Sequence, residues 1–110
     1  MNLQQRFQQE NYERRYIESD CGYICYNAYP DASIYIHELY VLPEKRALGE
    51  GRKLEGQLIQ KEKPAVIYCD VDLTSKNPEI SLKAILAGGY IIEECLSSKI
   101  ILKRTIHRGR

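Results

Sequence analysis

The stretch YVLPEKRALGEGRKLEGQLI, Tyr40–Ile59, decides how the chain folds. An apolar run ends at Pro43, a basic turn carries two glycines two positions apart, and Leu54, Leu58 and Ile59 then recur at helical spacing. The order is strand, tight turn, helix. Such a junction aims several unpaired backbone N–H groups and the positive end of a helix dipole at one point, which suits phosphate. In the turn Arg46-Ala47-Leu48-Gly49-Glu50-Gly51, glycine lets the backbone approach an anion, and Arg46, Arg52 and Lys53 add charge around it. Neither the G-x-x-x-x-G-K-S/T loop for a nucleoside triphosphate nor the G-x-G-x-x-G loop for a dinucleotide is present. Taken alone, the G-x-G fits a turn that starts a helix without any ligand equally well.

Working outward, YIES (16–19), GYICYNAY (22–29) and SIYIHELYVL (33–42) are dense in Tyr, Ile and Val and are separated by turn residues, so they read as antiparallel strands. In the third, Ile34, Ile36 and Tyr40 fall on one face and Tyr35, Leu39 and Val41 on the other, which predicts a central strand covered on both sides. Lys63-Pro64 ends the first helix, and AVIYCDVDL (65–73) is a further buried strand. NPEISLKAILAGG (77–89) carries helix punctuation at both ends: Asn77 as N-cap, Pro78 in the first helical position and Gly88-Gly89 at the stop. YIIEECL and SKIILKRTI close as a hairpin around Ser97-Ser98.

The 110 residues make one domain with a modest core. Residues 1–15 read as a polar segment or short helix, 16–106 as the domain and 107–110 as a basic tail. No run reaches the roughly 20 apolar residues of a membrane span and the start lacks a signal-peptide core, so no membrane partner and a cytoplasmic location are expected. Cys21, Cys25, Cys69 and Cys95 show no C-x-x-C pairing and read as buried thiols, not a zinc site or a disulfide framework. The formal charge of +1 hides an asymmetry: residues 99–110 hold five Lys/Arg and no acid, against eleven basic and fifteen acidic residues before them. A tail such as KRTIHRGR can touch nucleic acid or an acidic protein, but a solvated tail is the plainer reading and nucleic acid is not the expected partner.

LYVLPEKRALGEGRKL (39–54) resembles the acetyl-coenzyme A signature of the GCN5-related N-acetyltransferases (GNAT), R/Q-x-x-G-x-G/A after a strand ending V-x-P; Arg46, Gly49 and Gly51 fill its defined positions. NPEISLKAILAGGYI (77–91) is similar to that family's second landmark, a helix beginning near N-x-x-S and ending at glycine. The resemblance covers roughly residues 16–106 and implies an α+β fold: a mixed, mostly antiparallel sheet splayed at its centre, with two main helices and the usual first two helices pared away. It further implies that the pantetheine arm pairs with backbone at Leu39, Tyr40 and Val41 and that the diphosphate sits on the amides of Leu48 to Arg52. Acetyl-CoA is then the cosubstrate, with no metal, and a primary amine, on a protein lysine or N-terminus, the acceptor. CGYICY (21–26) running directly into the loop strand also resembles a very small phage-encoded acetyltransferase that modifies a lysine of its target protein.

Amine acetylation needs a proton acceptor and a donor for the leaving thiolate. Glu38 is the leading base candidate, with a raised pKa if it faces the interior among Ile34, Ile36 and Tyr40, and His37 is the alternative. The H-E pair belongs to a strand and has Val41 where a zinc-protease motif has its second histidine, so a metal role is not expected. The family's usual acid, a tyrosine four residues before the glycine landmark, is Ile85 here; Ser81 matches a branch with serine earlier on this helix, where it holds a water or the thiol, or merely caps. Two other readings stay open: a coenzyme A binder without turnover, and an interaction module using the basic tail and the nine tyrosines. A homodimer would cover the sheet edges that a reduced fold exposes.

Overall fold

A two-residue turn at Asp20 and Cys21 joins β1 (Arg15–Ser19) to β2 (Gly22–Ala28), and β3 (Ser33–Val41) returns alongside β2 in the computed structural model, which describes residues 14–106. The chain continues through α1 (Glu50–Glu62), β4 (Val66–Asp72), α2 (Pro78–Ala87), β5 (Ile91–Cys95) and β6 (Lys99–Thr105). The six strands form one sheet in the order β1-β2-β3-β4-β6-β5. Strands β3 and β4 run parallel and every other neighbouring pair runs antiparallel, as the mixed, mostly antiparallel α+β expectation requires. The expected N-terminal segment and basic tail lie, in residues 1–13 and 107–110, outside the described residues. No helix among the described residues is long and apolar enough to cross a membrane.

Each helix forms where local signals agree and packs where its apolar stripe meets the sheet. Helix α1 stops at Lys63, whose left-handed backbone lets its N–H bond Ile59 O at 2.8 Å, and Pro64 follows. Helix α2 stops in a Schellman turn: Gly89 has φ +96°, its N–H bonds Leu86 O and that of Tyr90 bonds Ile85 O. Asn77 occupies the N-cap position of α2 but makes no side-chain cap bond, because its own backbone is left-handed. Leu54 and Leu58 from α1, and Leu82 and Ile85 from α2, join one cluster with Ile24, Tyr26, Ile34, Ile67, Val71 and Leu102. Burying each such side chain contributes about 1.5–3 kcal/mol. The cluster takes alternate residues of β4, so both helices lie on the same face of the sheet.

The expected two-sided cover of β3 is therefore corrected. A β-bulge shifts the β2–β3 register: Cys25 pairs with Glu38 and Tyr26 with Ile36, leaving His37 as the extra residue. Beyond it the faces exchange. Leu39 joins Ile34 and Ile36 on the helix-covered side, whereas Glu38 and Tyr40 join Tyr35 on the opposite face. Among the described residues, no helix covers that opposite face.

The thiols also differ from expectation. Cys25 and Cys69 are buried, Cys21 lies half-buried in the hairpin turn, and Cys95 is exposed at the end of the edge strand β5. Burial pushes the Cys69 thiol up to about 12. With the native protein at about pH 8, iodoacetamide will alkylate Cys95 first and leave Cys69 unmodified. Peptide mass mapping reads this, and equal rates at the two sites would contradict the placement of β4 in the core.

Candidate functional site

Strands β3 and β4 are paired only at Ser33↔Val66, Ile34↔Ile67 and Tyr35↔Tyr68. Past Tyr35, β3 runs on to Val41 and β4 past Tyr68 to Asp72 without pairing to each other, so a gap opens at the sheet centre. Leu39, Tyr40 and Val41 line the β3 side of the gap while β2 holds their other edge. The expected splay is present, and the residues expected to pair with an extended ligand arm stand on it.

At the wide end of the gap the chain turns into α1. Pro43–Lys45 form one 3-10 turn, Ala47 and Gly49 take positive φ of 64° and 81°, and α1 begins at Glu50 with no side chain capping it. The first bond of the helix runs from Lys53 N–H to Gly49 O at 3.1 Å, so the amides of Glu50, Gly51 and Arg52 have no acceptor within the helix. A Cβ on Gly49 would meet nothing within 4 Å, whereas one on Gly51 would stand 3.4 Å from Leu39 Cδ2. The turn is open above its first glycine and packed onto β3 at its second.

The charges around it are arranged otherwise than expected. Arg46 folds back: its Nε donates to Val41 O at 2.9 Å and its guanidinium lies 5.6 Å from the centre of the Tyr40 ring, bracing turn against strand. Glu50, the acid inside the basic turn, is drawn aside by Lys53 at 3.3 Å and accepts from the Cys21 thiol; burial and that carboxylate together push the thiol up. Its charge is thereby turned toward the β1–β2 hairpin. Arg52 and Leu48 are exposed beside the amides.

The face of β3 that carries Glu38 holds a polar group at the narrow end of the gap. Glu38 is exposed, against the expectation of an interior carboxylate, because the bulge at His37 turns it away from the core. The Tyr23 hydroxyl donates to it, which with partial burial pushes that phenol up. His37 Nε2 bonds Asn27 Oδ1, and the His37 ring centre lies 5.4 Å from that of Tyr35. The Tyr35 hydroxyl donates to Asp70, across the point where β3 and β4 part, and burial followed by that carboxylate pushes the phenol up. The His37 imidazole is held below its usual pKa, first by burial and then by the charge of Arg14.

Ser81 is exposed one turn into α2, on an element that packs against β4. Ile85 packs against the core, so this turn of α2 offers no hydroxyl. Tyr90 is buried at 7% exposure and its hydroxyl donates to Glu55 at 2.7 Å, with Arg104 bonding the same carboxylate. That network ties α1 to β6 and to the residue before β5. The described part of the KRTIHRGR stretch is thus strand: Lys103 pairs with Glu93 at 2.9 Å and Arg104 with Glu55, which removes two cations from the nucleic-acid reading. Asn27, Tyr35, Asp70 and Tyr23 were not legible as site residues; the one signal was Asn27, a buried amide inside the apolar run of β2.

No protein-family model matches the sequence, and no curated protein matches it. Solved structures do resemble the fold. A protein from Desulfovibrio desulfuricans assigned to the GNAT family of acetyltransferases superposes with a TM-score of 0.69 at 18% identity, over 81% of this chain and 65% of that one. PaiA N-acetyltransferase from Thermoplasma acidophilum, solved with coenzyme A, gives 0.65 at 16% identity over 78% and 54%. A protein from Bacillus anthracis assigned as a streptothricin acetyltransferase, solved with acetyl coenzyme A, gives 0.66 at 21% identity over 79% and 56%. The chain thus spans less than two thirds of the length of these structures. At these identities the likeness is one of fold. A sheet in this order, parted between its parallel strands, with a glycine turn and helix at the wide end of the gap, is the GCN5-related N-acetyltransferase fold, and it is the fold of this chain.

Proposed function

We propose that the chain binds acetyl-CoA and transfers its acetyl group to a primary amine, on a protein lysine or N-terminus. The observation that carries this reading is the uncapped, glycine-entered start of α1 at the wide end of a gap whose two strands are unpaired to each other. The free amides of Glu50 to Arg52 and the helix dipole suit a diphosphate, and the exposed backbone of Leu39 to Val41 suits an amide-bearing arm reaching toward His37 and Glu38. Those two residues bring an imidazole and a carboxylate to the narrow end, where an ammonium and its proton can be received. Ser81 is the hydroxyl assigned to hold a water or the thiol, on the helix after β4. Among the described residues both helices lie on one face, and the other is left to a macromolecular acceptor.

A second reading, binding without turnover, is favoured by Ile85, whose packing leaves no acid on that turn of α2. One experiment separates the two. Calorimetric titration of the wild type with acetyl-CoA will show binding, and Gly49→Trp, which fills open space above the amides, will lose it while still unfolding cooperatively. The left-handed backbone at Gly49 adds a strain of about 1–2 kcal/mol to that variant. Free thiol released on adding an amine acceptor supports transfer, binding without thiol supports the second reading, and no binding removes both.

A further inference from the structure

We propose that His37 is the proton acceptor of the reaction, positioned by Asn27, and that Glu38 beside it seats the positively charged amine. The assignment rests on the acetyl-transfer reading and concerns its proton chemistry. His37 is the bulged residue, two positions beyond the last β3–β4 pair, and so stands where the gap closes. Its Nε2 contacts the side-chain oxygen of Asn27, an atom that only accepts, so Nε2 carries the hydrogen and the lone pair lies on Nδ1. Asn27 is 6% exposed and therefore fixed, and its amide is neutral. A neutral orienting group holds the ring without favouring imidazolium, which a carboxylate there would do. Tyr35 flanks the ring and is itself tied to Asp70.

The charges acting on His37 come from several elements, Arg14 before β1, Asp70 on β4 and Lys99 on β6, and Glu38 is the next residue along β3. Glu38 is exposed and oriented by Tyr23, an arrangement suited to meeting a cation from solvent. In the step, Nδ1 removes one proton from the ammonium, and the amine nitrogen then forms its bond to the thioester carbon as the carbon–sulfur bond breaks. The sulfur takes the second proton lost from nitrogen and the imidazolium passes its proton to water. The N-acetylated amine and free thiol are the products.

The test measures thiol release with acetyl-CoA and poly-L-lysine across pH for the wild type, Asn27→Asp, His37→Gln and Glu38→Gln, with acetyl-CoA binding checked for each by calorimetry. The wild type should lose kcat/KM as pH falls below about 6.5. Asn27→Asp places a carboxylate against Nε2–H, raises the imidazole pKa, and so moves this acid limb to higher pH by about one unit or more. His37→Gln should lower kcat by about 10²-fold, with little change in KM, and abolish the limb. Glu38→Gln should raise KM for poly-L-lysine by about tenfold and leave the limb in place. An unmoved limb in Asn27→Asp, or a limb lost in Glu38→Gln and kept in His37→Gln, overturns the assignment. If Asn27→Asp does not bind acetyl-CoA, titration of the wild-type His37 resonance decides, and a midpoint at or above about 6.5 overturns it. Thiol release with an unmoved limb sinks the base assignment alone, whereas wild-type binding without thiol release, or no binding at all, sinks the acetyl-transfer reading beneath it.

Discussion

Gly22→Ala is expected to destabilise the protein by about 3–5 kcal/mol and to abolish acetyl-CoA binding. A Cβ at this position would stand 2.0 Å from the Tyr40 carbonyl oxygen and 2.9 Å from Tyr40 C and Val41 Cα. All three are backbone atoms, so no rotamer change can relieve the contact. Gly22 pairs with Val41, and one residue earlier Cys21 O accepts the Leu42 N–H at 2.8 Å. Separating the strands here therefore displaces the last residues of β3 and the carbonyl that Arg46 grips. Since the glycine turn starts from those residues, the amides of α1 lose their relation to the gap. A urea midpoint and a calorimetric titration check both parts; a variant with wild-type values for each would show that β2 and β3 do not approach so closely.

That position also marks the limit of what the sequence reveals. The turn and both helices were legible because their signals are local: Pro43, the glycines, Lys63-Pro64 and Gly88-Gly89 act on their own neighbours. Gly22 reads only as the residue where a turn gives way to a strand, and its packing against Tyr40 depends on which strand lies beside it. The same holds for the bulge. Alternation along β3 places Tyr40 with Ile34, but an inserted residue is a property of two strands, and nothing in SIYIHELYVL marks His37 as the one left over.

The candidate site divides along the same line. Arg46, Gly49 and Gly51 fall within one six-residue turn and so could be read together as a motif; the structure adds that Arg46 braces the turn through Val41 and Tyr40. Glu38 was chosen from its place on the strand, and the bulge sets it near the narrow end of the gap on the exposed face, not in the interior. Asn27, Tyr35 and Asp70 come from three strands and meet only when β2, β3 and β4 are side by side. Nor could sequence show that Glu50 would be drawn off the turn by Lys53 and Cys21, contacts that turn its charge toward the β1–β2 hairpin.

Leu58→Ala carries the second large effect, a loss of about 3 kcal/mol from a total stability of about 5–15 kcal/mol. Leu58 is 0% exposed and sits with Leu54 in the cluster that seats α1 on the sheet. Its removal leaves a cavity between helix and strands that neighbouring Ile24 and Ile34, fixed in the sheet, cannot collapse to fill. Ile80→Ala, at a position 62% exposed on α2, should change stability by less than about 0.5 kcal/mol, so equal losses at both would mean that α1 is not packed as described. The two variants also separate packing from binding. Leu58 lies about two turns from the open amides, so the variant should keep most of its acetyl-CoA affinity while it remains folded. Acetyl-CoA at about a hundred times its Kd should then return about 2.7 kcal/mol of stability to the wild type and to Leu58→Ala alike. Equal recovery places Leu58 in the scaffold; recovery by the wild type alone would make the seating of α1 part of the anion site itself, since the direction of its N-terminal amides would depend on how the helix rests on β2 and β3.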